Sequence, residues 1–215
     1  MVMVEVAEVD SEAPSRSVIE RAARIIKEGG LVIYPTETVY GLAADARSDE
    51  GVARVFEAKS RPLENPISVA VSSLEMAGEA GEISSRAGRL FREFMPGPLS
   101  IIVKARSSLS KLLSAGTGKI GIRFPDHLAA QKLIEEFGEP ITSTSANISG
   151  RPAPFTAQDA LDQLGDHVDF AIDSGSVRIC RPSTVVDATG EELEIVREGP
   201  ISVEKLKAAL DRPRE

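Results

Sequence analysis

Apolar and polar positions recur along the chain with two different periods, and the switches between them predict the elements. Within residues 17–28 the apolar side chains Val18, Ile19, Ala22, Ala23, Ile25 and Ile26 fall on one helical face, and Gly29-Gly30 supplies a stop. Residues 31–34 form a short, wholly apolar run closed by Pro35, the pattern of a buried strand that feeds a loop. Behind an acidic first turn, Val52, Val55, Phe56 and Ala58 predict a second helix over 49–59, which runs directly into Lys59-Ser60-Arg61-Pro62. Further strands are expected over 67–71, 99–104, 120–124, 140–143, 170–173, 184–187 and 193–197, and further helices over 84–95, 127–137, 156–164 and 203–210. Three of the late strands have no helix between them. The expected fold class is therefore α/β, with a mixed parallel and antiparallel sheet flanked by helices. Residues 1–14 and 211–215 read as loose ends.

Composition narrows this picture. A chain of 215 residues can bury one substantial core, and it contains no internal repeat, low-complexity tract or linker, so a single domain is expected with its core over about residues 15–201. Apolar residues at 42% and charged residues at 27% belong to a chain that folds. A net charge of −8 argues against a protein that coats nucleic acid, because such binding is driven by phosphate neutralisation. No apolar run reaches the roughly 18 residues of a membrane span. The early Glu5, Glu8, Asp10 and Glu12 have the wrong sign for a signal peptide, so a cytoplasmic location without membrane contact is expected. Cys180 has no partner for an internal disulfide, and with only His127 and His167 there is no cysteine-histidine zinc set. Cys180 reads as an inert, partly buried thiol and both histidines as surface or structural residues, so general-base chemistry through histidine is not expected.

Three apparent motifs fail on context. Gly116-Thr-Gly-Lys-Ile-Gly121 has the spacing of a dinucleotide-binding turn, but a strand follows it where a helix is needed. As a phosphate-binding P-loop the same stretch has Leu113 for the first glycine and Ile120 for the magnesium-binding hydroxyl. Asn147-Ile-Ser149 matches a glycosylation sequon in a chain read as non-secretory.

The informative chemistry lies in three polar stretches at the ends of predicted strands and helices, where open α/β sheets place ligands. One is Tyr34-Pro-Thr-Glu-Thr-Val-Tyr-Gly41 with the later Lys59-Ser-Arg-Pro-Leu-Glu-Asn-Pro66. Another is Gly121-Ile-Arg-Phe-Pro125. The last is Ser143-Thr-Ser-Ala-Asn-Ile-Ser-Gly150, echoed by Arg181-Pro-Ser-Thr184. Each admits a plainer reading. Lys59 and Arg61 suit the carboxyl end of a helix, Arg123 suits a structural salt bridge, and a run of Ser and Asn suits a turn. Taken together they describe fixed cations, hydroxyls and an amide with no metal cage and no nucleophilic dyad. That set fits phosphoryl or nucleotidyl transfer, where positioning and electrostatics do most of the catalysis.

These stretches, with Pro96-Gly-Pro98, Ser149-Gly150 and Pro182-Ser-Thr-Val-Val-Asp187, resemble the YrdC/YciO family in order and spacing across residues 17–201. The resemblance implies a twisted mixed sheet around one large concave site. It also implies an L-threonylcarbamoyladenylate synthase: L-threonine, bicarbonate and ATP give threonylcarbamoyl-AMP and pyrophosphate, for modification of the adenosine beside the anticodon of ANN-reading tRNAs. By the same resemblance Lys59 and Arg61 are the catalytic, phosphate-facing cations, and Thr38, Arg123, Ser143 and Ser183 contact threonine. Asn65, Ser145, Asn147 and Arg197 fall on the nucleotide side, Asn147 as readily shaping the loop as touching ligand. Magnesium is expected to arrive with the triphosphate, without dedicated protein ligands, and a tRNA threonylcarbamoyl-transferase machinery to receive the product. Two departures stand out: Ala70, where many synthases carry histidine, and Lys119, where threonine is common. Longer members add a carboxyl-terminal domain, so this chain is expected to be the minimal catalytic domain. Two alternatives stay open, a divergent YciO-type paralogue acting on another small molecule and a double-stranded RNA-binding module with weak RNA contact.

Overall fold

The computed structural model describes residues 4–212, and within them the apolar runs become strands of one sheet while the amphipathic stretches become helices laid on its two faces. In chain order the elements are β1 (Glu5–Glu8), α1 (Arg16–Lys27), β2 (Val32–Tyr34), β3 (Gly41–Ala43), α2 (Asp49–Ala58), β4 (Ser68–Ala70), α3 (Leu74–Ala80), β5 (Gly81–Glu82) and α4 (Ser85–Phe94). They continue with β6 (Leu99–Ala105), β7 (Lys119–Arg123), α5 (Leu128–Phe137), β8 (Ile141–Ser145), α6 (Ala157–Leu164), β9 (Phe170–Asp173), β10 (Thr184–Asp187), β11 (Glu194–Arg197) and α7 (Val203–Asp211). Across the sheet the order is β1-β9-β2-β3-β8-β4-β7-β6-β10-β11, with β5 added beside β6. The sheet is mixed, as the helix-free late strands predict: β1/β9, β2/β9, β4/β7 and β6/β10 are parallel and the other pairs antiparallel.

Alternation along each strand gives the two faces different chemistry. On one face the paired positions Val69↔Ile122, Ile122↔Ile101 and Ile101↔Val186 form an unbroken apolar floor. Against it pack Val52, Val55 and Phe56 of α2, Leu90 and Phe91 of α4, Leu164 of α6 and Leu206 of α7. Each fully buried Leu, Ile or Phe there contributes roughly 1.5–3 kcal/mol by leaving water. The opposite face is apolar only at one end, where Val32, Tyr34, Ala70, Ile141, Phe170 and Ile172 meet Ile19 and Ile26 of α1 and Leu133 and Ile134 of α5. Among the described residues, the helices packed on that face are α1 and α5, and a cavity lies beside them.

Local signals fix the helix ends. Ser48 accepts a hydrogen bond from the Gly51 amide at the start of α2, and Thr156 and Asp159 form a reciprocal capping box on α6. At the end of α1 the chain turns away at Gly29 with φ +86°, the left-handed conformation that glycine adopts without penalty.

Several expectations are corrected. Residues 5–8 are not loose: they form an edge strand parallel to β9. Its Glu-Val-Ala-Glu sequence hides it, because a charged edge strand lacks an apolar signature. Strand β3 and helix α3 also escape the periodic pattern, the first being three residues that begin with glycine and the second carrying Gly78 in its middle. The terminal helix extends to Asp211, while residues 1–3 and 213–215 of the predicted loose ends lie outside the described residues. Cys180 is exposed rather than partly buried, on a turn with φ +51°.

Candidate functional site

On the second face the strands present small residues in register, with Gly41 opposite Ser145 and Ser68 opposite Ser143. Short side chains at alternate positions leave a cavity of about 480 Å³ above the sheet, within the roughly 300–1,000 Å³ of small-molecule sites. Glycine leaves room for neighbouring side chains here: a Cβ on Gly121 would stand 2.3 Å from Ser68 Oγ, and one on Gly41 2.7 Å from the Tyr34 ring, so either addition would force a shift.

Three guanidiniums line the cavity, from Arg61, Arg123 and Arg197, and its wall contains no Asp or Glu. Arg61 follows α2 in the loop to β4 and donates from Nε to the Asn65 carbonyl (3.0 Å) and from Nη2 to the Pro66 carbonyl (2.9 Å). Arg123 ends β7 and is 6% exposed. Its Nη2 donates to Thr38 Oγ1 (2.6 Å) and lies 2.9 Å from Glu37 Oε2, so two buried residues outside the cavity lining hold the side chain in place. Arg197 ends β11 and grips the Ser183 carbonyl with Nε (3.0 Å) and Nη2 (2.8 Å). Burial lowers the pKa of Arg61, and burial followed by the nearby Arg123 charge lowers that of Arg197. A pocket that presses against the charge of its own cations is one that an anion would relieve.

Of the ten residues singled out from the sequence, six line this cavity: Arg61, Arg123, Ser143, Ser145, Ser183 and Arg197. The other four do not line it: Thr38, Lys59 and Asn147 are buried, and Asn65 is exposed. Thr38 is fully buried and carries Arg123, and the Asn65 carbonyl carries Arg61. Asn147 accepts from Ser145 Oγ through Oδ1 and donates from Nδ2 to the carbonyls of Ile148 (2.9 Å) and Arg151 (2.8 Å), which shapes the turn. Lys59 is 1% exposed, and its Nζ donates to the carbonyls of Ser145 and Asn147 (2.7 Å to the latter). Its own carbonyl accepts from the Ser149 amide (2.9 Å), so Lys59 pins the 145–149 turn to the end of α2. Burial, and then the charge of Arg61, lower its pKa to about 7.

Tyr34, Thr36, Ser68 and Ser100 also line the cavity without having been singled out. Tyr34 and Thr36 belong to a stretch already marked as polar. Ser68 and Ser100 could have been found as hydroxyls at alternate positions inside otherwise apolar strands. Glu37, 1% exposed, is the buried partner of Arg123. Both departures are placed as well. Ala70 is fully buried in the core shared with α5 and pairs with Arg123 across β4 and β7, whereas Lys119 starts β7 and forms an ion pair with Asp187 at 2.7 Å. His127 contacts Ser174 Oγ through Nε2 (3.1 Å). Among the described residues no His, Cys, Asp and Glu side chains gather as a metal cluster, and no helix is long and apolar enough to cross a membrane.

Fold and cavity together define an α/β protein with a cavity on one face of a mixed sheet, lined by three guanidiniums and several hydroxyls. Similarity to known proteins narrows the class. The model of the Sua5/YciO/YrdC family, which carries the description telomere recombination, matches residues 24–199, and the chain belongs to that family. It is 38% identical over 197 residues to the threonylcarbamoyl-AMP synthase of Pyrococcus abyssi, a match that covers 91% of this chain and 58% of the relative. With the threonylcarbamoyl-AMP synthase of Vibrio vulnificus it shares 31% identity over 178 residues, 81% of this chain and 96% of the relative. The crystal structure of P. abyssi Sua5 complexed with L-threonine superposes with a TM-score of 0.92 at 36% identity, covering 96% of this chain and 61% of that one. The chain thus spans about 58% of the length of the P. abyssi relative.

Proposed function

We propose that the protein is an L-threonylcarbamoyladenylate synthase, which joins L-threonine, bicarbonate and ATP into threonylcarbamoyl-AMP and pyrophosphate in the cytoplasm. The observation that carries this reading is the convergence of three guanidiniums on one cavity without a carboxylate in its wall, in a chain whose net charge is −8. Family membership and the threonine complex of the P. abyssi relative support it.

The chemistry asks for such a site. Bicarbonate condenses with the threonine amine, losing water, to give a carbamate. A carbamate oxygen then attacks the α-phosphorus while the bond to the β-phosphate oxygen breaks and pyrophosphate leaves with the electron pair. Charge shifts onto phosphate oxygens throughout, and cations already fixed in place stabilise it without reorganising. Arg123, held from behind by Thr38 and Glu37, takes the threonine carboxylate, with the Ser143 and Ser183 hydroxyls beside it. Arg61 faces the phosphates, and Lys59 serves them from below by fixing the turn that carries Ser145. Asn65, Ser145 and Arg197 form the nucleotide side, and Asn147 sets its loop. Magnesium comes with ATP, held by phosphates and water. The product, a labile mixed anhydride, passes to a tRNA threonylcarbamoyl-transferase.

A second reading follows from the family resemblance, by which Ala70 stands where many synthases carry histidine: a YciO-type paralogue acting on another small molecule would use the same cavity. Pyrophosphate release with ATP, magnesium and bicarbonate, across a panel of amino acids, separates the two readings. Release stimulated by threonine alone supports the synthase, and ATP binding without any threonine dependence supports the paralogue.

A further inference from the structure

Ser100 lies on β6, between β7, which bears Arg123, and the pair β10 and β11, the first directly preceded by Ser183 and the second bearing Arg197. The pairs Ser100↔Val185 and Val185↔Arg197 put Ser100 and Arg197 on one row across the sheet, and the pair Ile101↔Ile122 brings Arg123 alongside. Ser100 and Ser183 are both buried, both line the cavity, and their hydroxyl oxygens are 3.0 Å apart. Nη2 of Arg197 lies 3.2 Å from Ser183 Oγ.

Hydrogen-bond direction follows from the groups themselves. A guanidinium only donates, so Ser183 Oγ accepts from Arg197. The two hydroxyls carry two protons, and one of them occupies the contact between the oxygens. The remaining proton has no acceptor among the described residues, because neither hydroxyl makes a further hydrogen bond. Whichever way the pair is oriented, it offers the cavity a single donor with a cation behind it, and hydrogen bonds in such a chain strengthen one another.

We propose that Ser100 is a ligand-binding residue: its hydroxyl, with Ser183 and Arg197 behind it, completes a donor for an oxyanion bound between Arg123 and Arg197. The oxyanion comes from the amino-acid substrate, as carboxylate or carbamate, or from the α-phosphate. Its identity rests on the synthase reading, but its charge does not.

Calorimetric titration of the wild type, Ser100→Ala and Ser100→Thr with L-threonine and, separately, with AMP tests the assignment, with thermal unfolding as the control for folding. Loss of one such donor should weaken one of the two ligands by about 5- to 20-fold in Ser100→Ala, while Ser100→Thr, which keeps the hydroxyl, stays within about threefold of wild type. The arm that weakens identifies the source of the oxyanion. In the double variant with Ser183→Ala the loss should be smaller than the product of the single losses, as expected of coupled neighbours. The assignment is overturned if Ser100→Ala binds both ligands like the wild type, or if Ser100→Thr binds as weakly as Ser100→Ala. Wild-type protein that binds AMP but not threonine would count against the synthase reading alone, since the AMP arm still tests the donor.

Discussion

The cations at the site are held by two kinds of device, side chains for Arg123 and backbone carbonyls for the rest. Arg123 is fixed by Thr38 and paired with a buried carboxylate, Arg61 and Arg197 are tied to backbone carbonyls, and Lys59 is spent on the turn beneath them. Replacing Arg123 by Ala should therefore weaken L-threonine binding by more than about tenfold, some 1.4 kcal/mol, as read by calorimetry; unchanged affinity would remove Arg123 from the threonine site. Lys59 makes a prediction about pH. Burial, with Arg61 adding to it, sets its pKa at about 7 against 10.5 for an ordinary lysine, so between these values the unfolded chain binds the extra proton. Stability contributed at this position should be complete above the unfolded value and lost as pH falls through about 7. The melting temperature of wild type relative to Lys59→Met should accordingly rise from pH 7 toward pH 10, and a flat difference would mean that Lys59 titrates like a surface lysine. At this scale the sequence was readable in residue type but not in depth. Nothing in Lys59-Ser-Arg61 distinguishes a cation that faces the cavity from one that props up its wall. That difference is decided by where residues 145–149 fold, with Ser145 86 and Asn147 88 positions further along the chain, and the same applies to Thr38 and Glu37, whose task is visible only once β7 brings Arg123 against them.

Among the elements, strand alternation is what makes the site. The same strands that bury Val69, Ile122, Ile101 and Val186 on one face turn Ser68, Arg123, Ser100 and Val185 toward the other. Long strands and amphipathic helices were legible because their periods are strong, whereas β1, β3 and α3 were not, being short, charged or interrupted by glycine. The return of the chain after β11 is a further element-scale constraint. A Cβ on Gly199 would meet the Thr184 amide at 2.3 Å and the Ser183 carbonyl carbon at 2.5 Å, both backbone atoms with little freedom to yield. Gly199→Ala should thus destabilise the fold by about 1–3 kcal/mol and loosen the Arg197–Ser183 contact. Denaturant titration reads the first effect and AMP affinity the second; a variant with wild-type stability would mean that the return after β11 relaxes freely.

For the whole molecule, the contrast lies between an acidic surface and a cationic interior. With net charge −8 the chain repels polyanions at large, yet one cavity on the sheet collects three guanidiniums and a row of hydroxyls. That contrast favours a small anionic substrate drawn into a cavity over a nucleic acid spread across a surface. It was legible in part from composition and motif order; the cavity itself follows from α1 and α5 covering only one end of the sheet face, which no local pattern encodes. The most direct test of the proposed synthase is pyrophosphate release by the purified protein with ATP, magnesium and bicarbonate, with and without L-threonine. Release that depends on both threonine and bicarbonate is the predicted result. Release indifferent to threonine, or none despite measurable ATP binding, would contradict it.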